Sequence, residues 1–253
     1  MKKIAIITGA SSGIGKEFAI QINEKFLSID EVWIIARRSE RLEELADYLT
    51  ISSKIITGDL SDKNIFDKIK AELDSEPVKI KMLVNSAGFG KYGYFEDSDL
   101  NDQLGMIDIN IRALTELTNI CIPYMAYNSR IINIASAAAF VPQPDLAVYA
   151  ATKSYVLSFS RAINSELNKE GIYVTAVCPG PVDTEFFDIA ETDGQKAWYK
   201  KYIMAQCHKV VNKAINDSLL KKEVSVYGIP MRLFNVICKI FPHKMILAIQ
   251  KKL

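Results

Sequence analysis

The sequence predicts a single α/β domain in which a doubly wound parallel sheet carries helices on both faces. Three observations lead to this prediction. The 253 residues suit one large core and are too few for two full enzyme domains. Short β-branched segments alternate with longer helical patterns, which is typical of repeated βαβ units. A glycine-rich turn between the first strand and the first helix favours this open sheet over a (β/α)₈ barrel of similar length.

Seven segments have the length and composition of strands. Several are apolar on both faces, as in Ile4–Ile7, and such runs suit parallel strands that helices cover on both sides. Between the strands, apolar residues recur every three or four positions, as expected for amphipathic helices. The strand candidates are Ile4–Thr8, Val32–Ala36, Lys54–Thr57, Ile80–Asn85, Ile131–Ala135, Tyr173–Cys178 and Val224–Tyr227. Two clear helical stripes are Ile14, Phe18, Ile22 and Phe26, and then Val156, Phe159, Ile163 and Leu167.

The composition limits the classes of function. Hydrophobic residues make up 49% and charged residues 24% of the chain, which excludes a disordered protein. With 31 Lys and Arg against 30 Asp and Glu, the net charge is +1, so no global field favours nucleic acid. The four cysteines form no CxxC pair and only two histidines are present, so we expect neither a metal site nor a disulfide framework.

The N-terminal apolar run determines the expected location. It ends at Thr8-Gly9, which is too short for a signal-peptide core, and no stretch approaches 18 uninterrupted apolar residues. A cytoplasmic protein is the simplest expectation.

The first turn carries a phosphate-binding pattern. Thr8–Gly15 reads TGASSGIG, with glycines spaced as GxxxGxG between a strand and a helix. Gly9 suits a tight turn, Gly13 a close approach of the backbone to a pyrophosphate, and Gly15 close packing of the helix on the sheet. The helix N-terminus then offers amide hydrogens to phosphate.

The end of the second strand bears on the choice of dinucleotide. A site for NAD usually has a carboxylate there, whereas this chain has Ala36 followed by Arg37 and Arg38. Two guanidinium groups suit a 2′-phosphate, although a solvated basic pair is the alternative interpretation. The missing acid favours NADP in either case.

A second constellation carries proton chemistry. Tyr149 and Lys153 form a YxxxK pair, which one helical turn places side by side. A neighbouring cation lowers the pKa of a phenol, so the pair suits acid–base catalysis on a carbonyl/alcohol couple. YxxxK alone is common by chance, and Ser136, at the end of the fifth strand, adds a hydroxyl that can polarise the same oxygen.

The combination of these motifs, in this order, resembles the classical short-chain dehydrogenase/reductase family over about residues 3 to 228. Two further landmarks carry the resemblance: Asn85-Ser86-Ala87-Gly88 after the fourth strand, and Pro179–Thr184 after the sixth. Ser86 stands where the family usually has a second Asn. The resemblance implies a Rossmann-type sheet of about seven strands and nicotinamide-dependent interconversion of a carbonyl and an alcohol.

The resemblance also implies residue roles. Tyr149 is the expected general acid in reduction, Lys153 lowers the pKa of Tyr149 and binds the nicotinamide ribose, and Ser136 orients the substrate oxygen. Asn110 is expected to hold a water that links Lys153 to bulk solvent. The other residues implied for cofactor binding are Gly9, Ser11, Ser12, Gly13, Ile14, Gly15, Arg37, Arg38, Asp59, Leu60, Asn85, Ala87, Gly88, Pro179, Gly180, Val182 and Thr184.

Two segments follow strand ends and fall outside these motifs. Residues 184–208 match the family's substrate loop, and their aromatic and Met side chains favour an apolar steroid, acyl or aryl substrate, with packing of a lid as the alternative. The aromatic and Met residues are Phe186, Phe187, Trp198, Tyr199, Tyr202 and Met204. Residues 229–253 form an amphipathic, basic C-terminal extension. It can cover the cleft or a subunit interface, lie on a membrane surface as a peripheral contact through residues 232–253, or be a solvated tail.

The leading hypothesis is therefore an NADPH-dependent carbonyl reductase or hydroxy-compound dehydrogenase that forms a homodimer or homotetramer. A redox-silent NADP-binding regulator on the same fold is the main alternative. The presence of Asn110, Ser136, Tyr149 and Lys153 together argues against it. A nucleotide-sugar epimerase needs a larger substrate domain than residues 184–253 provide, and a membrane scaffold would rest on the extension alone.

Overall fold

The computed structural model describes residues 1–186, 190 and 204–250. In this part of the chain, seven parallel strands form one sheet in the order β3-β2-β1-β4-β5-β6-β7. The strands are β1 (Lys2–Thr8), β2 (Glu31–Ala36), β3 (Ser52–Thr57), β4 (Val78–Asn85), β5 (Met125–Ile134), β6 (Ile172–Val177) and β7 (Val224–Ser225). The predicted doubly wound, seven-stranded sheet is therefore confirmed.

The helices lie on both faces of this sheet. They are α1 (Gly13–Lys25), α2 (Ser39–Tyr48), α3 (Asn64–Ser75), α4 (Leu100–Ile107), α5 (Leu114–Cys121), α6 (Ala147–Leu167), α7 (Cys207–Leu219), α8 (Ile229–Ile240) and α9 (His243–Gln250). A π-helical segment, Asp108–Ala113, joins α4 to α5. Within the described residues, no helix is both long enough and apolar enough to cross a membrane.

Strand β1 shows why both faces of the sheet are covered. Ile4 and Ile6 belong to the core beneath α3, α5 and α6, whereas Ala5 and Ile7 belong to the opposite core beneath α1, α2 and α7. All four side chains are fully buried. Because successive side chains of a strand point to opposite faces, a strand buried on both sides must be apolar throughout.

The strand order reverses beside β1, which pairs with β2 on one side and β4 on the other. The connections after β1 and β4 therefore leave the sheet in opposite directions and open a crevice at the carboxyl ends of the strands. Ligands of open α/β sheets bind in such a crevice. The glycine-rich turn and the Asn85–Gly88 segment both leave the sheet at this point.

Each of the seven strands differs from its predicted bounds by at least one residue, and β5 differs most. β5 begins at Met125, six residues before the predicted start at Ile131, and its exposed residues Tyr127 and Asn128 hide the strand from a search for apolar runs. β7 is an edge strand that pairs with β6 through Val224 and Ser225, so the predicted residues Val226 and Tyr227 lie outside it.

Candidate active site in the crevice

The glycine-rich turn is held against the segment that follows β4. The Thr8 hydroxyl accepts hydrogen bonds from the Ser86 and Ala87 amides, both at 3.1 Å. Gly9 has φ +67°, and a Cβ there would lie 2.9 Å from the Ala87 Cα. A Cβ at Gly15 would lie 2.3 Å from the Gly9 carbonyl oxygen. Glycine is therefore required sterically at both positions, as the sequence predicts.

The start of α1 is open toward the crevice. Ser12 is the N-cap residue of α1, but its side chain makes no capping hydrogen bond to the first turn. Its hydroxyl instead accepts a hydrogen bond from Arg38 Nη2 at 2.8 Å. The first amides of α1 and the positive end of its dipole thus stay available for an anionic ligand.

Arg38 contacts the glycine-rich turn, whereas Arg37 does not. Arg38 Nη2 donates to the Ser11 hydroxyl at 3.0 Å, and Nη1 lies 3.0 Å from Glu185 Oε2. Arg37 is more exposed and makes a longer ion pair, 3.6 Å, with Asp59. Hydrogen bonds from Ser61 and the charge of Arg37 outweigh burial and lower the pKa of Asp59. The two arginines therefore contact different segments of the cleft, Arg38 the glycine-rich turn and Arg37 the segment after β3.

Two charged residues of this region, Arg41 and Glu185, are not among the site residues predicted from the sequence. Arg41 lies one helical turn beyond Arg38 and forms an ion pair of 2.5 Å with the same carboxylate, Glu185. The spacing of three residues in a predicted helix is the signal that would have found Arg41. Glu185 has no such signal, because only the tertiary fold brings it to α2.

A cleft of about 830 Å³ brings most of the predicted residues together. Three predicted residues, Gly15, Asn85 and Asn110, lie behind its wall. The predicted residues that line it are Gly9, Ser11, Ser12, Gly13, Ile14, Arg37, Arg38, Asp59, Leu60, Ala87, Gly88, Ser136, Tyr149, Lys153, Pro179, Gly180, Val182 and Thr184.

Asn85 joins secondary-structure elements instead of lining the cleft. Its amide nitrogen donates to the Thr118 hydroxyl at 3.0 Å and to the Asn133 Oδ1 at 2.8 Å, which ties β4 to α5 and β5. The side chain is only 3% exposed. The side chain of Asn85, which the family resemblance implies as a cofactor-binding residue, therefore points into the sheet–helix interface.

The predicted reacting residues meet at the inner end of the cleft. Ser136 follows β5, and its hydroxyl accepts a hydrogen bond from the Ala138 amide at 3.1 Å. Tyr149 lies in the first turn of α6, and the Ser136 side chain is close enough to act on the pKa of its phenol. Lys153, one turn later, donates from Nζ to the Ile134 carbonyl at 2.9 Å. A serine, a phenol and an ammonium group thus share one buried corner.

Burial shifts the pKa values of both ionisable groups in this corner. It raises the pKa of Tyr149 to about 12, although the hydrogen bond with Ser136 acts in the opposite direction. It lowers the pKa of Lys153 to about 8. The expected lowering of the Tyr149 pKa by Lys153 is not found here, because the ammonium faces the Ile134 carbonyl and lies 5.7 Å from the phenol ring centroid. At neutral pH the phenol is protonated and the lysine is charged.

Asn110 lies in the π-helical segment behind the cleft wall. Its Oδ1 accepts from the Phe89 amide at 3.1 Å, and its Nδ2 donates to the Phe89 carbonyl at 2.9 Å. The same Nδ2 is 3.0 Å from the Thr152 hydroxyl on α6. Asn110 therefore fixes the loop after β4 to the helix of Tyr149 and Lys153. The sequence gives no signal for Thr152 beyond its place inside the YxxxK motif.

Apolar side chains line the cleft beside Tyr149, although Lys91, Asp102 and Gln143 also line the cleft. Phe89, Leu146 and Phe186 pack around the phenol, and the Phe186 ring centroid is 5.6 Å from that of Tyr149. Met231 and Phe234 of α8 complete this wall. Met204 is described but does not line the cleft, while the predicted substrate-loop residues Phe187, Trp198, Tyr199 and Tyr202 lie outside the described residues.

Comparison with known proteins agrees with this geometry. A family model described as short chain dehydrogenase matches residues 3–194. An uncharacterized oxidoreductase of Staphylococcus epidermidis is 34% identical over 208 residues, which cover 81% of this chain and 86% of that protein. The very-long-chain 3-oxoacyl-CoA reductase of Anas platyrhynchos is 34% identical over 212 residues, or 79% of this chain and 66% of that longer protein.

Solved structures share the architecture. A short-chain dehydrogenase from Sphingobium yanoikuyae in complex with NADPH superposes with a TM-score of 0.79 at 26% identity, covering 93% of this chain and 92% of that one. A Burkholderia phymatum short-chain dehydrogenase/reductase in complex with NAD gives a TM-score of 0.81 at 19% identity, with the same two coverages, and shows the likeness of fold. With the family model matched over most of the chain, this protein belongs to the classical short-chain dehydrogenase/reductase family of oxidoreductases.

Proposed function

We propose that the protein is an NADPH-dependent oxidoreductase that reduces the carbonyl group of an apolar substrate to a secondary alcohol. The observation that carries this proposal is the meeting of Ser136, Tyr149 and Lys153 at the inner end of a cleft that begins at the glycine-rich turn. A proton donor, a second hydroxyl and a cation at one point are the groups that carbonyl reduction requires.

The residues of the cleft fit a nicotinamide dinucleotide. Gly13 has φ +53°, and a Cβ there would lie 3.3 Å from the Thr184 side chain, so the turn leaves room for a ligand at its closest point. Gly88 lets the loop after β4 pack closely behind the reacting corner, since a Cβ there would lie 2.7 Å from Asn110 Oδ1 and 3.3 Å from Lys153 Nζ. The uncapped start of α1 supplies donors for the pyrophosphate.

The preference for NADPH rests on Arg38. Its guanidinium lies at the turn through Ser11 and Ser12, and Ala36 at the end of β2 offers no carboxylate to a ribose. Arg41 adds a second cation through the shared Glu185. A 2′-phosphate at this place would be bound by charge-assisted hydrogen bonds, and an NAD ribose would lack its usual acidic partner.

In the proposed mechanism a bound nicotinamide supplies the hydride that reduces the carbonyl carbon. The Ser136 and Tyr149 hydroxyls hold the substrate oxygen. As negative charge develops there, Tyr149 transfers its phenolic proton to that oxygen, the alcohol forms and the phenolate remains. In this proposal the Lys153 ammonium turns from the Ile134 carbonyl toward the phenolate once it forms, stabilises it by its positive charge and returns a proton to it. The implied role of Asn110, the holding of a water behind Lys153, belongs to the same proposal.

Burial raises the pKa of Tyr149 and so favours the protonated phenol, the form that donates a proton in carbonyl reduction. A phenol with a pKa of about 12 carries its proton and is ready to donate it, whereas alcohol oxidation would need the phenolate as a base. The apolar walls formed by Phe89, Leu146, Met231 and Phe234 support a substrate with an apolar body beside the carbonyl.

The test is a cofactor-oxidation assay with purified protein. We expect NADPH absorbance to fall on addition of at least one member of a panel of steroid ketones, 3-oxoacyl thioesters and aryl ketones, and to fall more slowly with NADH. NADPH binding measured by fluorescence, without oxidation by any carbonyl of the panel, would contradict the proposal and favour a redox-silent nucleotide-binding protein.

A further inference from the structure

Helix α8 is apolar on two opposite faces. Its inner face packs inward through Met231, Phe234 and Cys238; Met231 and Phe234 line the cleft, and Cys238 is buried against Val141. Its outer face is exposed to solvent. The exposed outer residues are Ile229 (79%), Leu233 (58%), Val236 (49%), Ile237 (36%) and Ile240 (68%). Their spacing of three and four residues forms one stripe along the helix.

The exposed apolar surface continues beyond the end of α8. Phe241 and Met245 are 47% and 53% exposed, whereas Ile246 of α9 is buried against the same cluster as Cys238. The two helices are therefore fixed to the body by one side and present an apolar outer surface on the other. No described residue covers this surface, and a helix that is apolar on opposite faces is normally covered on both.

The charge of this region is one-sided. Residues 229–253 contain five Lys and Arg and no Asp or Glu, which leaves 26 Lys and Arg against 30 Asp and Glu in residues 1–228. Arg232, Lys239 and Lys244 are exposed beside the apolar stripe. An apolar stripe flanked by cations matches the surface of an anionic bilayer, where the stripe enters the acyl boundary and the cations meet lipid headgroups.

We propose that the outer face of α8 and the start of α9 bind the surface of an anionic lipid membrane. A contact of this face with the same face of a second copy is disfavoured, because it would bring basic groups of the same sign together. The binding would hold α8 in the headgroup region with its inner face on the cleft. The cleft would then lie next to the lipid, within reach of an apolar substrate that partitions into the bilayer.

The test is vesicle co-sedimentation of the full chain. We expect the protein to sediment with vesicles of equal parts phosphatidylcholine and phosphatidylglycerol, to stay in solution with phosphatidylcholine alone, and to be released by high salt. Lys239→Gln with Lys244→Gln should weaken partition by roughly 10- to 30-fold, since each cation near an anionic surface contributes about fivefold. Leu233→Ser with Ile240→Ser should weaken it at least about tenfold.

Matched controls change the same chemistry elsewhere. Lys68→Gln with Lys70→Gln removes two exposed cations from α3, and Leu27→Ser with Leu220→Ser removes two exposed apolar side chains that lie outside α8 and α9. Both controls should partition like the unchanged protein. Tyr149→Phe should also bind vesicles normally, so this result does not depend on the enzymatic proposal.

Three outcomes would overturn the proposal. The first is that the unchanged protein remains in solution with anionic vesicles. The second is that the α8 variants sediment with these vesicles as strongly as the controls do. The third is a fall in molecular mass by light scattering for Leu233→Ser with Ile240→Ser, with the melting temperature preserved, which would assign the face to a subunit interface.

Discussion

Lys153 is the residue whose environment constrains the chemistry most. It is 5% exposed, donates to the Ile134 carbonyl and has a pKa lowered by burial to about 8. A cationic group with a lowered pKa is charged below that value and loses its charge as the pH rises through it. The phenol beside it, with a pKa of about 12, stays protonated over the same range.

This contrast predicts the pH dependence of reduction. Because the charged lysine stabilises the developing phenolate, kcat/KM for carbonyl reduction should be constant below about pH 7 and fall about tenfold per pH unit above about pH 8. Stopped-flow or steady-state rates from pH 6 to pH 10 check this, with the protein's integrity confirmed by circular dichroism at each pH. A profile that stays flat to pH 10 would show that the charge on Lys153 plays no part in the rate.

Arg38 is the residue on which cofactor choice should depend. Arg38→Ala removes a charge-assisted contact to the 2′-phosphate and should weaken NADPH binding by about 10- to 100-fold, with little change for NADH. Arg37→Ala should have a smaller effect in the same direction, because Arg37 is more exposed and pairs with Asp59 at 3.6 Å. Isothermal titration with both cofactors measures these affinities.

The control for this comparison is Arg161→Ala. Arg161 is an exposed residue of α6 that forms an ion pair with Glu223 and does not line the cleft. It should change neither affinity. Equal losses for NADPH and NADH in Arg38→Ala would refute the assignment to the phosphate. The sequence was sufficient to identify the basic pair, but its local pattern carries no information on which arginine folds back onto Ser11 and Ser12.

The α4–π–α5 unit shows how an element positions reacting groups that it does not contain. π-helical segments occur often at functional sites. Here the segment turns Asn110 toward Phe89 and Thr152. The loop after β4 is thereby tied to α6, so the cofactor wall and the reacting side chains share one support.

Removing this support should be costly. Asn110→Ala leaves the partly buried Phe89 amide and carbonyl without their partner and should lower the free energy of unfolding by about 2–4 kcal/mol. Thr152→Val, which removes one acceptor of Asn110, should cost about 1 kcal/mol. Urea unfolding followed by fluorescence compares the two. A similar, small loss for both variants would show that Asn110 does not brace the loop.

At the scale of secondary-structure elements, the sequence predicts well the strands that helices cover on both faces, and it predicts the irregular segments poorly. β1 and β2 are buried on both faces, so their apolar runs reveal them. The first residues of β5 are partly exposed, and the π segment, from which Asn110 contacts Thr152, has no recognisable local pattern. The roles of Gly9 and Gly15 could be predicted from the spacing of the glycines in the motif. The structure gives the physical reason, because backbone atoms lie too close to admit a Cβ at either position. The contacts of Glu185 with Arg38 and Arg41, and of Thr152 with Asn110, could not be predicted from the sequence.

The whole molecule is expected to be an oligomer. Family resemblance and the small residues of α6 support pairing through this helix. Ala151 and Ser158 are exposed on it, whereas Ala150 is buried within the chain and takes no part in such a contact. Light scattering at micromolar concentrations should give a mass of two or four chains of 28.3 kDa. A particle of one chain throughout this range would contradict the expectation.

The cleft is assembled by the fold of the whole chain. Its glycine-rich end, its reacting corner and its apolar wall come from segments spread over residues 9 to 234. Their order along the chain could be predicted from motifs. The contribution of α8 to the wall could not, since an amphipathic extension can be placed against a cleft, a subunit or a membrane with equal ease. Here its inner face lies on the cleft and its outer face is free of described contacts.

The most direct test of the account is turnover by Tyr149→Phe on the best carbonyl substrate of the panel. The ring still packs against Phe186 and Lys153 keeps its place, so NADPH affinity and melting temperature should be almost unchanged. Loss of a positioned proton donor should lower kcat by about 10²–10⁴-fold. Lys153→Met should instead lower both kcat and NADPH affinity. Near-normal turnover by Tyr149→Phe would contradict the proposed mechanism.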